Sequence, residues 1–289
     1  MTGLIEPKRM VRESVAYLKE TARNPKLLTA DVHNNLIFCG NPGTGKTSVA
    51  GIYARALAEN GARNGVLVNA SRQDLIGKFV GHTAARIASK FEEARGGVLF
   101  IDEAGFFINR ESGGFVSEAL KELVRYMETM PDVTVIFAMY KREVEGFLAL
   151  DEGLRSRISR VVRFEDYTDD ELISIAQRMC EDRGYRLDDE AHSLIRSHID
   201  SLRDKDDFGN ARDIRRLIDN AVTAHAMALH DDEMSVISPV ADPDVISNND
   251  IREGIDMCGS NLSDNKELHR IGFAMEGSAN DDKLYRQAI

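Results

Sequence analysis

Residues 40–47 read Gly40-Asn41-Pro42-Gly43-Thr44-Gly45-Lys46-Thr47 and match the pattern G-x-x-x-x-G-K-[ST]. In such a loop, backbone N–H groups wrap around nucleotide phosphates, the lysine reaches the terminal phosphates, and the last hydroxyl meets a magnesium ion. The apolar run 36–39 precedes the loop, and a helical pattern follows it. The stretch therefore predicts a buried strand, a phosphate-binding loop and a helix whose N-terminus adds a positive field.

A nucleotide held by this loop is expected to contact the loop and the start of the following helix. At ordinary glycine usage, a chance match to the pattern in a chain of this length is on the order of one percent. A glycine-rich turn without a ligand is the alternative. We expect Lys46 to act in catalysis as well as binding and Thr47 to bind the metal, within a predicted binding set of Asn41, Pro42, Gly43, Thr44, Gly45, Lys46, Thr47 and Ser48.

A second element of the predicted site lies at 98–103, where four apolar residues end in Asp102 and Glu103. A buried strand at this point would deliver Asp102 to the magnesium shell and Glu103 to a water that attacks the γ-phosphate. Taken alone, the pattern favours a buried strand followed by an acidic turn without catalytic function. Combined with the upstream loop, it favours hydrolysis over nucleotide binding alone.

The remaining pattern indicates an α/β domain followed by a small helical one. Apolar runs at 66–68, 98–101, 133–137 and 161–164 are separated mostly by helical stretches, which is typical of a parallel sheet covered on both faces. After 164 the strand patterns stop, and Thr168-x-x-Glu171 has the form of a helix capping box. We expect an α/β domain over 1–166, an all-helical domain over 167–256 and an acidic C-terminal extension over 257–289.

Charge and hydropathy argue against two classes of partner. With 37 Lys and Arg against 48 Asp and Glu, the net charge is −11, which argues against a nucleic-acid binder because counterion release needs a basic face. No apolar run approaches the roughly 18 residues of a membrane span, and the first residues lack the apolar stretch of a signal peptide. We therefore expect a soluble, cytoplasmic protein with neither nucleic acid nor membrane as a partner.

The sequence resembles the AAA+ ATPases, and within them the branch of the red-type Rubisco activase CbbX and the stage V sporulation protein K. The resemblance covers about 3–255 through GNPGTGK, DLIGKFVGHTAARI, GGVLFIDEA, FLALDEGLRSRI, FEDYTDDEL and FGNARDIRRLID. It implies a P-loop α/β domain with a five-stranded parallel sheet, a helical lid, a homo-hexameric ring, and ATP with Mg²⁺. For an activase, the plastid stroma would replace the cytoplasm.

The resemblance also gives roles to residues near the N-terminus and after the fourth apolar run. Leu4 and Ile5 look like the segment that lies against adenine, although by themselves they are only an apolar start. Tyr140 has the place of the polar residue that helps to position the attacking water, with a packed aromatic as the alternative. Relatives in this branch usually carry Gly-Tyr there, whereas this chain carries Met139-Tyr140.

Two arginines, Arg157 and Arg212, acquire roles in the same way. Arg157 is similar to the arginine finger that a neighbouring subunit supplies to neutralise the transferring phosphoryl group, which would make hydrolysis depend on assembly. Arg155 is the nearby competitor, and a surface arginine on a loop is the alternative for either residue. Arg212 matches the lid arginine that reaches the γ-phosphate and couples nucleotide state to lid angle. Arg215 lies almost one turn further on, where the next subunit is the alternative target.

The stretch Gly77-Lys78-Phe79-Val80-Gly81 carries an aromatic and an aliphatic residue between glycines. The resemblance makes Phe79 and Val80 the pore loop that grips an unfolded polypeptide by apolar contact. A hydrophobic loop packed on its own domain is the alternative.

The function implied is an ATPase ring that remodels a protein client by threading it through a central pore, with Rubisco as one possible client. The alternative is an ATP-dependent assembly switch or a regulatory binding module of a larger system. Its motivation is that Gly3-Leu4 belongs to the adenine segment, so essentially nothing precedes the ATPase core. Translocation on nucleic acid is a third possibility, which the net charge disfavours.

Overall fold

The computed structural model describes residues 2–24, 34–61, 63–77, 79, 81–109, 114–203, 205, 208–232 and 242–271. Its first part is an α/β domain built on a single sheet. All neighbouring strands in this sheet are parallel, which confirms the five-stranded parallel prediction. The strands are β1 (Asn35–Gly40), β2 (Leu67–Ala70), β3 (Val98–Ile101), β4 (Thr134–Met139) and β5 (Ile158–Phe164), in the spatial order β2-β3-β4-β1-β5.

This order places β4 between the two strands that lead into the predicted site. β1 runs into the phosphate-binding loop, β3 runs into Asp102, and both pair with β4 in parallel. In parallel sheets the carboxyl ends of the strands share one edge, where ligands bind. The topology therefore brings the loop after β1, the turn after β3 and the end of β4 to the same edge.

Helices cover both faces of the sheet, because side chains of each strand alternate between two apolar cores. Leu36 and Phe38 face one core, with Tyr53 beside them, while Ile37 faces the other core, with Phe91. Short 3₁₀ helices at Ala104–Ile108 and Lys141–Glu143 follow β3 and β4. The α-helices are α1 (Ile5–Arg23), α2 (Lys46–Glu59), α3 (Arg72–Leu75), α4 (His82–Glu93), α5 (Gly114–Thr129), α6 (Val144–Leu148) and α7 (Glu152–Arg157).

Four further helices form the lid: α8 (Asp169–Glu181), α9 (Ala191–Arg203), α10 (Ala211–Asp232) and α11 (Asn248–Ile271). The predicted capping box opens α8, since Thr168 Oγ1 accepts from the Glu171 amide at 3.3 Å and the Glu171 carboxylate accepts from the Thr168 amide at 2.9 Å. The lid also contains a short parallel pair, β6 (Arg186–Leu187) and β7 (Val245–Ile246). The helical lid is confirmed, with this pair as an addition that the sequence did not predict.

Helix α11 continues past residue 256, where the acidic extension was expected to begin. Cys258 is buried on α11, and its sulfur lies 3.3 Å from the Asn220 amide of α10, so the lid packing extends beyond the expected boundary. Residues 272–289 of the predicted extension lie outside the described residues. Among the helices described, none is both long and apolar enough to cross a membrane.

The lid packs directly on the α/β domain. One continuous apolar core contains Phe38 and Phe164 from the sheet together with Leu172 and Ile214 from the lid. Leu4, at the N-terminal side of α1, belongs to the same core. The two domains are therefore joined by shared side-chain packing, and the site lies where they meet.

Candidate functional site

A cleft of about 1060 Å³ opens between the carboxyl edge of the sheet and the lid. Residues at and after the carboxyl ends of strands β1, β3 and β4 form its floor, and helices α8 and α10 form its opposite wall. The structure thus brings together two sequence motifs that are far apart in the chain. The predicted site residues that line the cleft are Pro42, Gly43, Gly45, Lys46, Thr47, Ser48, Asp102, Glu103, Tyr140 and Arg212.

The phosphate-binding loop has the backbone shape that its glycines allow. Gly43 and Gly45 have φ angles of 68° and 90°, in the left-handed region that glycine enters without steric cost. Helix α2 begins directly after Gly45, and no side-chain cap is recorded at this N-terminus in the described part of the chain. Its first backbone N–H groups are therefore available to an anion, with the helix dipole in the favourable direction.

Lys46 holds its ammonium group inside the curve of the loop. Its Nζ donates to the carbonyl oxygens of Gly40 at 2.9 Å and Asn41 at 2.8 Å. Burial lowers the pKa of Lys46, and the nearby Asp102 carboxylate partly opposes that shift. A buried cation bonded only to neutral carbonyls gains strongly from an anionic ligand. The arrangement suits the terminal phosphates of a nucleotide.

Two carboxylates follow β3 at the floor of the cleft. The Asp102 carboxylate accepts from the Glu103 amide at 2.9 Å, and Glu103 has a φ of 52°, which is uncommon for a residue other than glycine and typical of functional sites. Asp102 and Thr47 line the same cleft. A hydroxyl and a carboxylate fit Mg²⁺, which is usually bound by one or two protein groups, waters and substrate phosphates. The Glu103 carboxylate, which also lines the cleft, is not needed for that metal set.

A third carboxylate in the cleft, that of Glu143, was missed by the sequence analysis. It accepts from the Tyr140 amide at 2.9 Å, and a Cβ placed on Gly105 would lie 2.3 Å from its Oε2 atom. Glu143 therefore bridges the end of β4 and the turn after β3. The sequence signal that could have identified Glu143 is its position three residues after Tyr140, where it completes a capping box. Tyr140 itself is partly exposed at the cleft.

The lid wall carries three arginines. Arg212 and Arg215 on α10 line the cleft of their own subunit, so the structure places Arg215 here rather than pointing only outward. Arg178 on α8 and Asp182, directly after the end of α8, also line it. They were missed because α8 was interpreted only as an amphipathic helix with a buried face. A charged pair one turn apart beside that face was the available signal.

The apolar side of the cleft differs from the prediction. Leu4 is buried in the shared core, Ile5 is 85% exposed, and neither lines the cleft. Thr2 lines it instead, together with Ile175 and Met179 of α8. The physical reason is that Leu4, with a φ of 57°, turns into the core just before α1 begins. The apolar side chains that line this side of the cleft, Ile175 and Met179, therefore come from the lid.

Two residues of the predicted loop set turn their side chains away from the cleft. The Asn41 amide donates to both carboxylate oxygens of Asp166, at 2.9 and 3.1 Å. Thr44 is fully buried, and its hydroxyl donates to the Asn41 carbonyl at 2.8 Å. Their side chains brace the loop, so only their backbone could meet a phosphate.

Arg157 does not reach the cleft of its own subunit. It donates to the Glu128 carboxylate at 2.5 Å and to the Gly153 carbonyl at 2.9 Å. Arg155 is more exposed and lies 3.5 Å from Glu145. Both arginines thus have partners within the subunit, and Arg157 has the closer one.

The predicted pore loop lies between α3 and α4. Phe79 is 66% exposed, and its ring meets that of His82 edge-on, with centroids 5.3 Å apart. Val80 lies outside the described residues. The exposed ring disagrees with the alternative of a loop packed into its own domain.

Comparisons with known families and structures agree with this geometry. The model of the ATPase family associated with various cellular activities (AAA) matches residues 36–166, and the AAA lid domain matches 168–260. The AAA domain of FIGL-1 in complex with ADP superposes with a TM-score of 0.59 at 21% identity, over 95% of this chain and 90% of that one. At this identity the likeness shows the fold.

Curated relatives match most of the chain. Protein CbbX of Cereibacter sphaeroides is 36% identical over 89% of this chain and 86% of its own length. Stage V sporulation protein K of Bacillus subtilis is 34% identical over 79% of this chain and 73% of its own. The chloroplastic ribulose bisphosphate carboxylase/oxygenase activase of Cyanidioschyzon merolae is 37% identical over 81% and 78%.

Proposed function

Since this chain belongs to the AAA family of ATPases, in the branch of CbbX and stage V sporulation protein K, we propose that it is an ATP-driven ring that remodels a protein client. Family membership makes the chain an ATPase. The hexameric ring, the threading of a client through the pore and the individual residue roles are proposals. The observation that carries the residue roles in hydrolysis is the convergence of Lys46, Glu103 and Arg212 on one cleft.

For hydrolysis, the structure supports a division of labour among these residues. Glu103 accepts the proton of a water that attacks the γ-phosphorus, while the bond from that phosphorus to the bridging oxygen breaks and ADP leaves. Lys46 and Arg212 neutralise charge on the phosphoryl oxygens from opposite walls. Magnesium, when held by Thr47 and Asp102, would supply further charge neutralisation at the β- and γ-phosphates. Tyr140 borders the water's position at the end of β4.

The proposed dependence of hydrolysis on ring assembly rests on Arg157. Because its guanidinium is bound to Glu128 and does not line its own cleft, it can serve catalysis only in a neighbouring subunit. We propose that ring formation exchanges the Glu128 carboxylate for the neighbour's γ-phosphate. Arg155 is the competing finger, and its greater exposure is what supports it.

Client contact is proposed for Phe79 and Val80. Phe79 presents an exposed aromatic ring on the segment before α4, and apolar contact is not directional, so it suits a polypeptide of variable sequence. The net charge of −11 favours a protein over nucleic acid as the client. We place the protein in the cytoplasm, or in the plastid stroma if it is an activase.

One experiment tests this function. ATP turnover is measured with and without Rubisco inhibited by its sugar phosphate, and the mass of the assembly is measured in ATP and in ADP. The proposal predicts a hexamer in ATP and turnover that changes with a suitable client. A monomer in both nucleotides, with turnover that does not depend on concentration, contradicts the ring.

The second candidate is an assembly switch that uses ATP occupancy to control partner binding. The contact between Arg157 and Glu128 favours it, because a subunit that keeps its finger bound would hydrolyse slowly. Slow turnover that no client stimulates, together with tight and ATP-dependent partner binding, would identify the switch. Turnover stimulated by a client would identify the motor.

A further inference from the structure

The phosphate-binding loop and the lid touch through their backbones at Gly43. A Cβ atom placed on Gly43 would lie 1.9 Å from the carbonyl oxygen of Gly209 and 2.9 Å from the backbone nitrogen of Arg212. No side chain could be accommodated between the two segments. The loop and the start of α10 therefore move against each other only if this contact opens.

Hydrogen bonds from Asn210 stabilise this contact. It is fully buried and has a φ of 50°, in the left-handed region that asparagine tolerates better than most residues. Its amide nitrogen donates to Asp166 Oδ1 at 2.8 Å and to the Pro42 carbonyl at 3.3 Å. Its Oδ1 accepts from the Tyr167 amide at 3.1 Å. One side chain thus joins the loop, the segment between the domains and the start of α10.

Asp166 and Tyr167 extend the connection to two further loop residues. The Asp166 carboxylate accepts both hydrogen bonds of the Asn41 amide, at 2.9 and 3.1 Å. The Tyr167 hydroxyl donates to the Thr44 carbonyl at 3.2 Å. Three segments that are far apart in the chain are therefore held in one polar network, which runs from the buried Asn210 and Tyr167 to the exposed Asn41 and Asp166, and its members support one another because they share partners.

The network touches both charged groups that the proposed function assigns to the phosphates. Lys46 donates to the carbonyl of Asn41, whose side chain is held by Asp166. When Lys46 turns to a phosphate, that carbonyl keeps only the Thr44 hydroxyl as a partner, and the loop is held less firmly. Arg212 follows Asn210 in the first turn of α10, so a shift of Asn210 changes the position of the Arg212 guanidinium.

We propose that Asn210, with Asp166 as its partner, is the positioning residue that ties Arg212 to the phosphate-binding loop and makes the lid follow nucleotide binding. Asn210 touches no phosphate and acts through Arg212. The inference rests on the proposed function, because it takes Arg212 as the lid group that meets the γ-phosphate.

The first test is the Asn210→Gly variant, which removes the side chain without straining the left-handed backbone. We expect kcat for ATP to fall by about tenfold while KM changes by less than about threefold. In an Arg212→Ala background the same change should have almost no further effect on kcat, since the two residues act as one unit. Asn220→Ala is the matched control: Asn220 is an asparagine of α10 that contacts Gly254 and Cys258 of α11, and its loss should lower the melting temperature without changing kcat.

A structural role would give a different pattern. If Asn210 served only to hold the lid together, Asn210→Gly would lower kcat by the same factor with or without Arg212, or would weaken ATP binding in step with kcat. Either result overturns the inference. Restoration of part of the lost kcat by Asn210→Ser, which can still offer a hydroxyl donor, would support it over a packing role.

The second test does not depend on turnover. Amide hydrogen exchange is measured with and without a non-hydrolysable ATP analogue. In the wild-type chain we expect protection of residues 41–47 and 209–215, and in Asn210→Gly we expect protection of 41–47 alone. Equal protection of 209–215 in both proteins overturns the coupling. This outcome is separate from a failure of the proposed function, which would show as absent hydrolysis or an unchanged kcat in Arg212→Ala.

Discussion

Arg157 donates a 2.5 Å hydrogen bond to the carboxylate of Glu128 in the same subunit, although the proposed function places it at the phosphates of a neighbour. The Arg157 side chain is 16% exposed, whereas Glu128 is 62% exposed. A pair with one well-solvated partner contributes little net stability. The contact can therefore hold the finger in a single subunit and still be exchanged for a phosphate when a ring forms.

Replacing this arginine should abolish assembly-dependent hydrolysis. We expect Arg157→Ala to lower kcat by roughly 10³-fold, the size typical of an arginine finger, while ATP binding persists. Arg155→Ala is the matched control and should stay within about threefold of wild type. Steady-state phosphate release and binding of a fluorescent ATP analogue measure the two effects.

Rings that mix two variants test whether Arg157 acts at the site of a neighbouring subunit or supports the site of its own subunit. Arg157→Ala subunits lack the finger but keep Glu103, and Glu103→Gln subunits have the opposite defect. Mixing them should restore turnover, because intact fingers then stand beside intact sites. Absence of recovery in rings shown to be mixed would argue for a local role, and a large loss in Arg155→Ala would transfer the role to Arg155.

Gly43 should not tolerate a side chain. Its φ of 68° and the 1.9 Å approach of the Gly209 carbonyl to an added Cβ mean that Gly43→Ala must force the lid away from the loop. We expect a loss of kcat of about a hundredfold, as for a small misplacement of catalytic groups.

The Gly184→Ala variant introduces backbone strain without the steric conflict that is present at Gly43. Gly184 has a φ of 85° with open space around its added Cβ, so the substitution should cost about 1 kcal/mol of folding stability and leave kcat unchanged. Thermal melts and turnover assays compare the two variants. Equal turnover by both variants would mean that the lid contact at Gly43 has no part in catalysis.

Nucleotide affinity should fall at alkaline pH through Lys46. Burial lowers the pKa of this lysine in the free protein, whereas bound phosphates favour its charged form and raise the pKa in the complex. Binding therefore takes up a proton once the pH exceeds the pKa of the free protein. Affinity for ADP should be flat near neutral pH and decline in the alkaline range, beginning below the ordinary lysine pKa of about 10.4. Titrations monitored by calorimetry measure it.

The Lys46→Gln variant supplies the comparison for this pH dependence. It lacks the titrating group, so its weaker affinity should not vary over the same range. A decline of the same size in Lys46→Gln would assign the pH dependence to another residue.

An exposed aromatic ring at Phe79 should matter for the client and not for ATP. We expect Phe79→Ala to keep basal ATPase activity within about twofold and to lose client remodelling, while Phe79→Tyr retains it. Met227→Ala removes another exposed apolar side chain, from α10, and should leave remodelling intact. Remodelling that survives in Phe79→Ala would exclude threading by this loop.

Contiguous stretches of sequence predicted most of the fold and most of the residues at the floor of the cleft. The loop at 40–47 and the carboxylates Asp102 and Glu103 could be identified because each motif carries its chemistry within a few residues. Alternating apolar runs predicted the parallel strands for the same reason, since both faces of each strand are buried.

Residues that act through distant contacts could not be found in this way. Arg178 and Glu143 enter the cleft only because separate elements meet there, and the burial of Leu4 in the core shared with the lid depends on packing between distant segments. The role inferred for Asn210 depends on bonds to residues far from it in the chain. A short stretch of sequence does not show which distant residues its side chains will contact.

The most direct measurement of the central claim is ATP turnover by Glu103→Gln beside wild type. If Glu103 is the base that activates water, the variant should bind ATP and assemble normally while phosphate release falls by roughly 10²-fold or more. Glu59→Gln, at the exposed end of α2, should keep the wild-type rate. Phosphate release by Glu103→Gln at the wild-type rate would contradict the account of this cleft as the ATP-hydrolysing site.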